Sequence, residues 1–299
     1  MAKMTDAGDL LTIGTCGVDG DCAKFPGFCS KHDLGLFREI EDDAHLASQS
    51  RRLHLQAYRS FCRELRRVTF DLKQDKRLIE PLLTETAAIM REIASEVVPP
   101  TALEEYLIYE NLSLDRNLED RLRSALESKS RALDALLLMQ PAMDAFIEGV
   151  QPNSGIFAAE VVLPVVLPVA LSGFGTITPQ SPDAVPEVLL FVVALADGSE
   201  TRLTFFGRED NHLILHTFLT NKGVLPDPAS GSAMRAALSL MEQMMVAATD
   251  HWFMSPEAWN KMHADTKERL CSRLNFIGES LSAQFRMSVF PDVLPHLPI

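Results

Sequence analysis

Positive charge is scarce in this chain: 28 Lys and Arg stand against 41 Asp and Glu, a formal net charge of −13. That deficit argues against non-specific binding of DNA or of an anionic membrane over the whole surface, since both need positive potential. Cysteine is sparse too, and odd in number. Of the five, Cys16, Cys22 and Cys29 crowd together, while Cys62 and Cys271 stand alone in helical patterns. A secreted disulfide framework does not look like this. No charged segment followed by an apolar one opens the chain; residues 1–11 are short and polar, so a reduced cytoplasm is the expected compartment. There is no G-x-G-x-x-G, no phosphate-loop lysine motif and no G-x-S-x-G, which lowers the prospect of nucleotide-dependent or α/β-hydrolase chemistry.

What is present is an ordinary globular composition. Hydrophobic residues make up 46% of 299, enough for one large domain or two modest ones. One apolar run, residues 155–175, is about the length of a bilayer span, which needs roughly 20 apolar residues. Glu160 sits inside it, and Pro164 and Pro168 would each interrupt helical hydrogen bonding. The run therefore predicts buried extended chain, with its prolines at an edge or bulge, and no membrane span.

Along the chain, the first thirty residues are rich in Gly, Asp and Cys and predict loops, with one short strand near 10–13. Residues 46–77 form the clearest amphipathic helix. Tyr58, Phe61, Cys62, Leu65, Val68 and Leu72 recur every three or four positions and line one apolar stripe. Residues 51–77 hold nine Lys/Arg and three Asp/Glu, so this segment is +6 within an acidic protein. A further helix is expected after Pro81 to residue 97, where Pro99 and Pro100 stop it, and leucines carry a helical signal on to about 143. From residue 149 the composition turns to β: 155–175, then 188–196 and 201–206, the last two flanking the hairpin dipeptide Asp197–Gly198. Helices return at 212–219, 233–249 and 256–282, with 224–232 as a loop. The expectation is an α+β, mainly helical protein. A helical N-terminal half (1–148, a Cys/His loop plus helical bundle) precedes a small antiparallel sheet in the middle, with C-terminal helices packed on it (149–299).

Gly27-Phe28-Cys29-Ser30-Lys31-His32-Asp33, followed by Leu36-Phe37 and Ile40-Glu41, resembles a signature of uncharacterised bacterial proteins. In that family a GFC-x-x-HD motif precedes an acidic helix and then one similar to Tyr58-Arg59-Ser60-Phe61-Cys62-Arg63-Glu64-Leu65. Val169-Ala170-Leu171-Ser172-Gly173 looks like its central strand, and His251-Trp252-Phe253 with Ser255-Pro256 and Trp259 like its C-terminal signature. The specific part covers about forty residues, and the chain departs from the family in having a shorter N-terminal stretch. The resemblance implies no activity; it draws attention to Cys29, His32 and Asp33.

Those residues have three readings. Phe28 and Cys29 can pack against the following helix while His32 and Asp33 cap it. Cys29 and His32, three apart at a loop-to-helix junction, can instead present a thiolate and an imidazole to a metal, with Cys16 and Cys22 completing a zinc set; the spacing lacks the paired C-x2–4-C of standard fingers. Or Cys29, its thiol acidified near a helix N-terminus, can be a nucleophile with His32 as base and Asp33 orienting it. Sequence-adjacent Cys and His rarely converge productively, and no motif of a known protease or acyltransferase surrounds them.

Three patterns lie elsewhere. Arg52, Arg59, Arg63 and Arg66 fall at helical spacing and can contact phosphates of a ligand or nucleic acid, although Glu64 and other acids stand ready to neutralise them and stacking aromatics are missing. His212 and His216, four apart, use a metal-binding spacing without the H-E-x-x-H glutamate. Trp252 and Trp259, with Met241, Met244 and Met245, predict a core stripe. Two function classes follow: a non-catalytic interaction protein with a protein partner and a structural Cys/His motif, preferred because no catalytic set is complete, or a metal- or thiol-dependent enzyme centred on Cys29, His32 and Asp33.

Overall fold

The computed structural model describes residues 2–3, 12–13, 37, 49–97, 112–147, 155–177, 188–249, 252–273, 281 and 288–298. It is a mainly helical α+β protein, with a helical N-terminal half, an antiparallel sheet in the middle and C-terminal helices. The first elements are the two-residue strands β1 (Ala2–Lys3) and β2 (Thr12–Ile13), paired with each other. Two long helices come next, α1 (Gln49–Val97, 49 residues) and α2 (Leu112–Ile147, 36 residues). The strands β3 (Ile156–Leu163), β4 (Val169–Ile177), β5 (Val188–Asp197) and β6 (Glu200–Arg208) follow. Then come α3 (His212–Asn221), α4 (Gly231–Gln243) continuing into a wider helical turn at Met244–Ala248, β7 (Trp252–Met254), α5 (Pro256–Lys261) and α6 (Ala264–Arg273).

Three boundaries differ from expectation. The proline at 81 does not divide α1, which runs through it. Pro81 is exposed, so the carbonyl its ring frees can reach water instead of being orphaned in a core. The run at 155–175 is two strands, and its prolines mark the connection between them. The segment 256–282 is not one helix: Met262 is extended (ψ 139°) and separates α5 from α6. Its side chain is half-buried against the main core, so tertiary packing overrides the local helical pattern there.

The chain divides into two compact units, Met1–Glu64 with Ala135–Ile299, and Leu65–Asp134. In the first, the sheet order is β3-β6-β5-β4-β7, antiparallel throughout. The meander β4-β5-β6 with β3 returned beside β6 is a Greek key. The crossing at 164–168 is pinned by Thr201, fully buried at the start of β6: its hydroxyl accepts from Leu167 N and donates to Val165 O, each at 2.8 Å. The hairpin expected at Asp197–Gly198 closes with Asp197 opposite Glu200 and Gly198 at φ +61°, where a side chain would be strained.

Both faces of this sheet are covered, which explains why Val188 to Ala194 are buried without alternation. Val188, Leu190, Val192 and Ala194 belong to the core shared with Leu215, Leu238, Met241 and Trp252. Phe191 points the other way, into a ring cluster with Phe174, Phe206 and Phe61 of α1 (centroids 5.4, 5.0 and 6.2 Å). Gly173 allows close approach on β4: a Cβ there would lie 2.4 Å from Thr249 Oγ1.

The second unit holds the distal stretch of α1 and the proximal stretch of α2. Asp75 and Lys129 are ion-paired across these two helices, and Arg67 reaches Asp71 one turn on. Among the described residues, no helix is long and apolar enough to cross a membrane.

Candidate functional site

Cys16, Cys22, Cys29, His32 and Asp33 lie outside the described residues. Arg52 is in the backbone of α1, with its side chain outside the described set. The remaining basic positions are divided between the units. Arg59 holds its guanidinium 5.2 Å from the Phe37 ring centroid, a cation–π contact. Arg63 lies 2.5 Å from Glu64, whose side chain is only 1% exposed. Arg66 is exposed and lies in the helical unit, one residue after its start at Leu65. Arg59 and Arg63 are thus engaged within the protein, as the acid beside Arg63 in the sequence had suggested.

Several polar groups buried in the sheet-containing unit are engaged as well, although Thr204 Oγ1 on β6 is buried without a hydrogen-bond partner. Tyr58 donates to Asp144 at 2.9 Å, joining α1 to α2 in that unit. Burial raises the Tyr58 hydroxyl, and its neighbours Cys62 and Asp144 raise it further. Cys62, one turn along, is pushed up to about 11, chiefly by burial, so its thiol stays protonated at neutral pH. Ser60 on α1 contacts Ser172 on β4.

Glu242 is the most heavily used acid. Its Oε1 accepts from Val289 N (2.8 Å), Phe290 N (2.7 Å) and Ser288 Oγ (3.2 Å), fastening the C-terminal segment to α4. Burial raises its pKa, and the two backbone donors and Ser288 oppose that rise. Beside it, Gln243 donates to Leu281 O at 3.2 Å and accepts from Lys222 at 3.0 Å. An acid inside the apolar run 238–246 was the sequence signal for this latch.

A cleft of about 540 Å³ opens next to the latch, lined by Met262, His263, Thr266, Phe290 and Asp292 among others. Its volume suits a small ligand. Among the described residues, no nucleophile with an oriented base lines it: Lys261 pairs with Glu257 on its own helix, and His263 lies 3.8 Å from an exposed Asp265. His212 and His216 are both exposed, with rings 5.8 Å apart and Phe157 edge-on to the first. Among the described residues no three His, Cys, Asp or Glu side chains are grouped to hold a metal. Trp252 is buried and donates to Met245 O at 3.0 Å, with Met241, Met244 and Met245 around it in the core.

The feature sequence reasoning passed over lies in the helical unit. Thr69, Leu72, Lys73, Lys76, Arg77, Glu80, Pro81 and Thr84 recur every three or four positions and line one face of α1, forming an open groove of about 770 Å³. Lys73, Lys76, Arg77 and Glu80 are exposed, and so are Phe70 (58%), one turn before Lys73 and Gln74 on the edge of this face, and Leu78 (69%), two turns on from Phe70 along the adjoining side of the helix. Phe70 falls outside the apolar stripe of α1, and that mismatch was legible in the sequence.

No family model, curated protein or solved structure matches this chain.

Proposed function

We propose that this chain is a non-catalytic intracellular interaction protein, in which the sheet-containing unit is a rigid platform and the helical unit presents a protein-binding face. The Cys29/His32 motif, with Cys16 and Cys22, is assigned a structural part, holding the N-terminal loop. What carries the proposal is the combination on residues 69–84 of two large exposed apolar side chains with exposed cations. Protein interfaces set an apolar anchor within a polar rim, and aromatic anchors dominate their energy. A second support is chemical. Glu242, Thr201, Tyr58 and Asp144 are each committed to holding elements together, and the Cys62 thiol is held protonated.

The test is co-purification of the full chain from its own cells, beside the double variant Phe70→Ser/Leu78→Ser. The expected result is a stoichiometric polypeptide that stays with the native chain and is lost from the variant, with circular dichroism unchanged. A partner retained by the variant, or a native chain that carries none at any salt concentration, would refute the assignment.

A further inference from the structure

Building on that interaction role, we infer that the partner at residues 69–84 is an acidic amphipathic protein segment, seated with its carboxylates toward Lys73, Lys76 and Arg77 and its apolar side chains toward Phe70 and Leu78. The inference rests on charge and spacing. Along this face three exposed cations meet a single exposed acid, Glu80. The other acids nearby are already neutralised, Asp71 by Arg67 and Asp75 by Lys129. Lys73, Lys76 and Arg77 have no acidic partner among the described residues. Lys76 and Arg77 follow Lys73 by three and four residues, so the three charges border one turn of the helix, with Lys73 and Arg77 on the side of Phe70, where a helical or extended acidic segment can meet them. Phe70 and Leu78 supply what a purely ionic contact lacks, apolar area to remove from water.

The same cations could draw a polynucleotide or an anionic bilayer, and the geometry favours neither. Both are extended polyanions that sense the whole surface of a chain carrying −13, whereas a short peptide on this face is screened from distant acids beyond about 8 Å at physiological salt. Phe70 stands alone as the exposed aromatic on the described part of this face, too little for base stacking. A lipid-inserting helix would need a continuous apolar face, and here Gln74 separates Phe70 from Leu78 while Lys73 and Arg77 border them.

The experiment is fluorescence anisotropy on the full chain with a labelled amphipathic peptide of about 20 residues, Leu at helical spacing and Glu elsewhere, beside a twin with Lys for Glu. A single-stranded RNA and phosphatidylserine vesicles complete the panel. The acidic peptide is expected to bind and the basic twin not. Lys73→Glu/Lys76→Glu/Arg77→Glu should weaken the acidic peptide by about tenfold or more and make the basic twin the better ligand, since reversing a local field reverses its preference. Because these side chains are exposed, circular dichroism should be unchanged. Equal binding of the two peptides, preference for RNA or vesicles, or no binding of the acidic peptide at about 1 mM would overturn the inference. The two proposals fail separately. If a cellular partner is lost with Phe70→Ser/Leu78→Ser but kept by the triple charge reversal, the interaction role stands and the acidic partner falls.

Discussion

Helix α1 belongs to two different environments. Before residue 65 its inward side chains Leu55, Phe61 and Glu64 are almost wholly buried, and its polar groups are tied to Asp144, Ser172 and Arg63. After residue 65, Val68 and Leu72 are buried, while Phe70, Lys73, Lys76, Arg77 and Leu78 are exposed. One helix thus serves as framework in the first stretch and as surface in the second. The lesson is that amphipathic periodicity locates a helix without saying what its second face is for; exposure and pairing of individual side chains separate the two uses.

That contrast can be broken most severely at Phe191. Phe191→Ala should cost about 3–5 kcal/mol, because a fully buried ring in contact with three others leaves a cavity. Urea unfolding of the full chain measures it, and a loss under about 1 kcal/mol would mean that the sheet is not the rigid part. Next is the latch. Glu242→Ala strands the Val289 and Phe290 amides and should cost about 1–3 kcal/mol.

The pH dependence of the latch has a definite sign. The folded carboxyl of Glu242 is raised, so between its ordinary and its folded pKa the native state binds more protons than the unfolded one. Its contribution is full below the ordinary carboxylate pKa and is lost as pH rises through the folded value. Glu242→Gln should flatten that part of the stability profile, seen as unfolding midpoints taken from pH 4 upward.

Thiol chemistry sharpens the comparison without touching stability. With its pKa near 11, Cys62 should alkylate roughly 100-fold more slowly at neutral pH than an ordinary thiol of pKa 9.0. Site-resolved mass spectrometry after brief iodoacetamide treatment checks this, and rapid labelling at Cys62 would contradict it. The smallest effect belongs to the exposed face: Phe70→Ser should shift stability by no more than about 0.5 kcal/mol, despite removing an aromatic ring.

The architecture was legible where one physical signal dominated. The β-rich composition of 188–196 and 201–206 and the Asp197–Gly198 turn between them pointed to the β5–β6 hairpin, and the apolar stripe to α1. The run at 155–175 concealed two strands, because a strand buried on one face and a connection rich in Val and Pro have the same local composition. Proline 81 looked like the boundary before a new helix because its cost depends on exposure, which only the folded chain reveals. At the site, Arg59 and Arg63 formed a pattern in the sequence, but their partners Phe37 and Glu64 decide their use. The exposure of Phe70 and Leu78 depends on which neighbours pack around them, and periodicity alone does not fix that.

Hydrogen–deuterium exchange of the full chain, with and without the acidic amphipathic peptide, separates the binding face from the framework. New protection is expected along residues 66–84 of α1, with the β-strands at 188–208 and the segment 288–298 unchanged. Protection centred instead on the cleft at Met262, His263 and Phe290, with residues 66–84 exchanging as before, would contradict it.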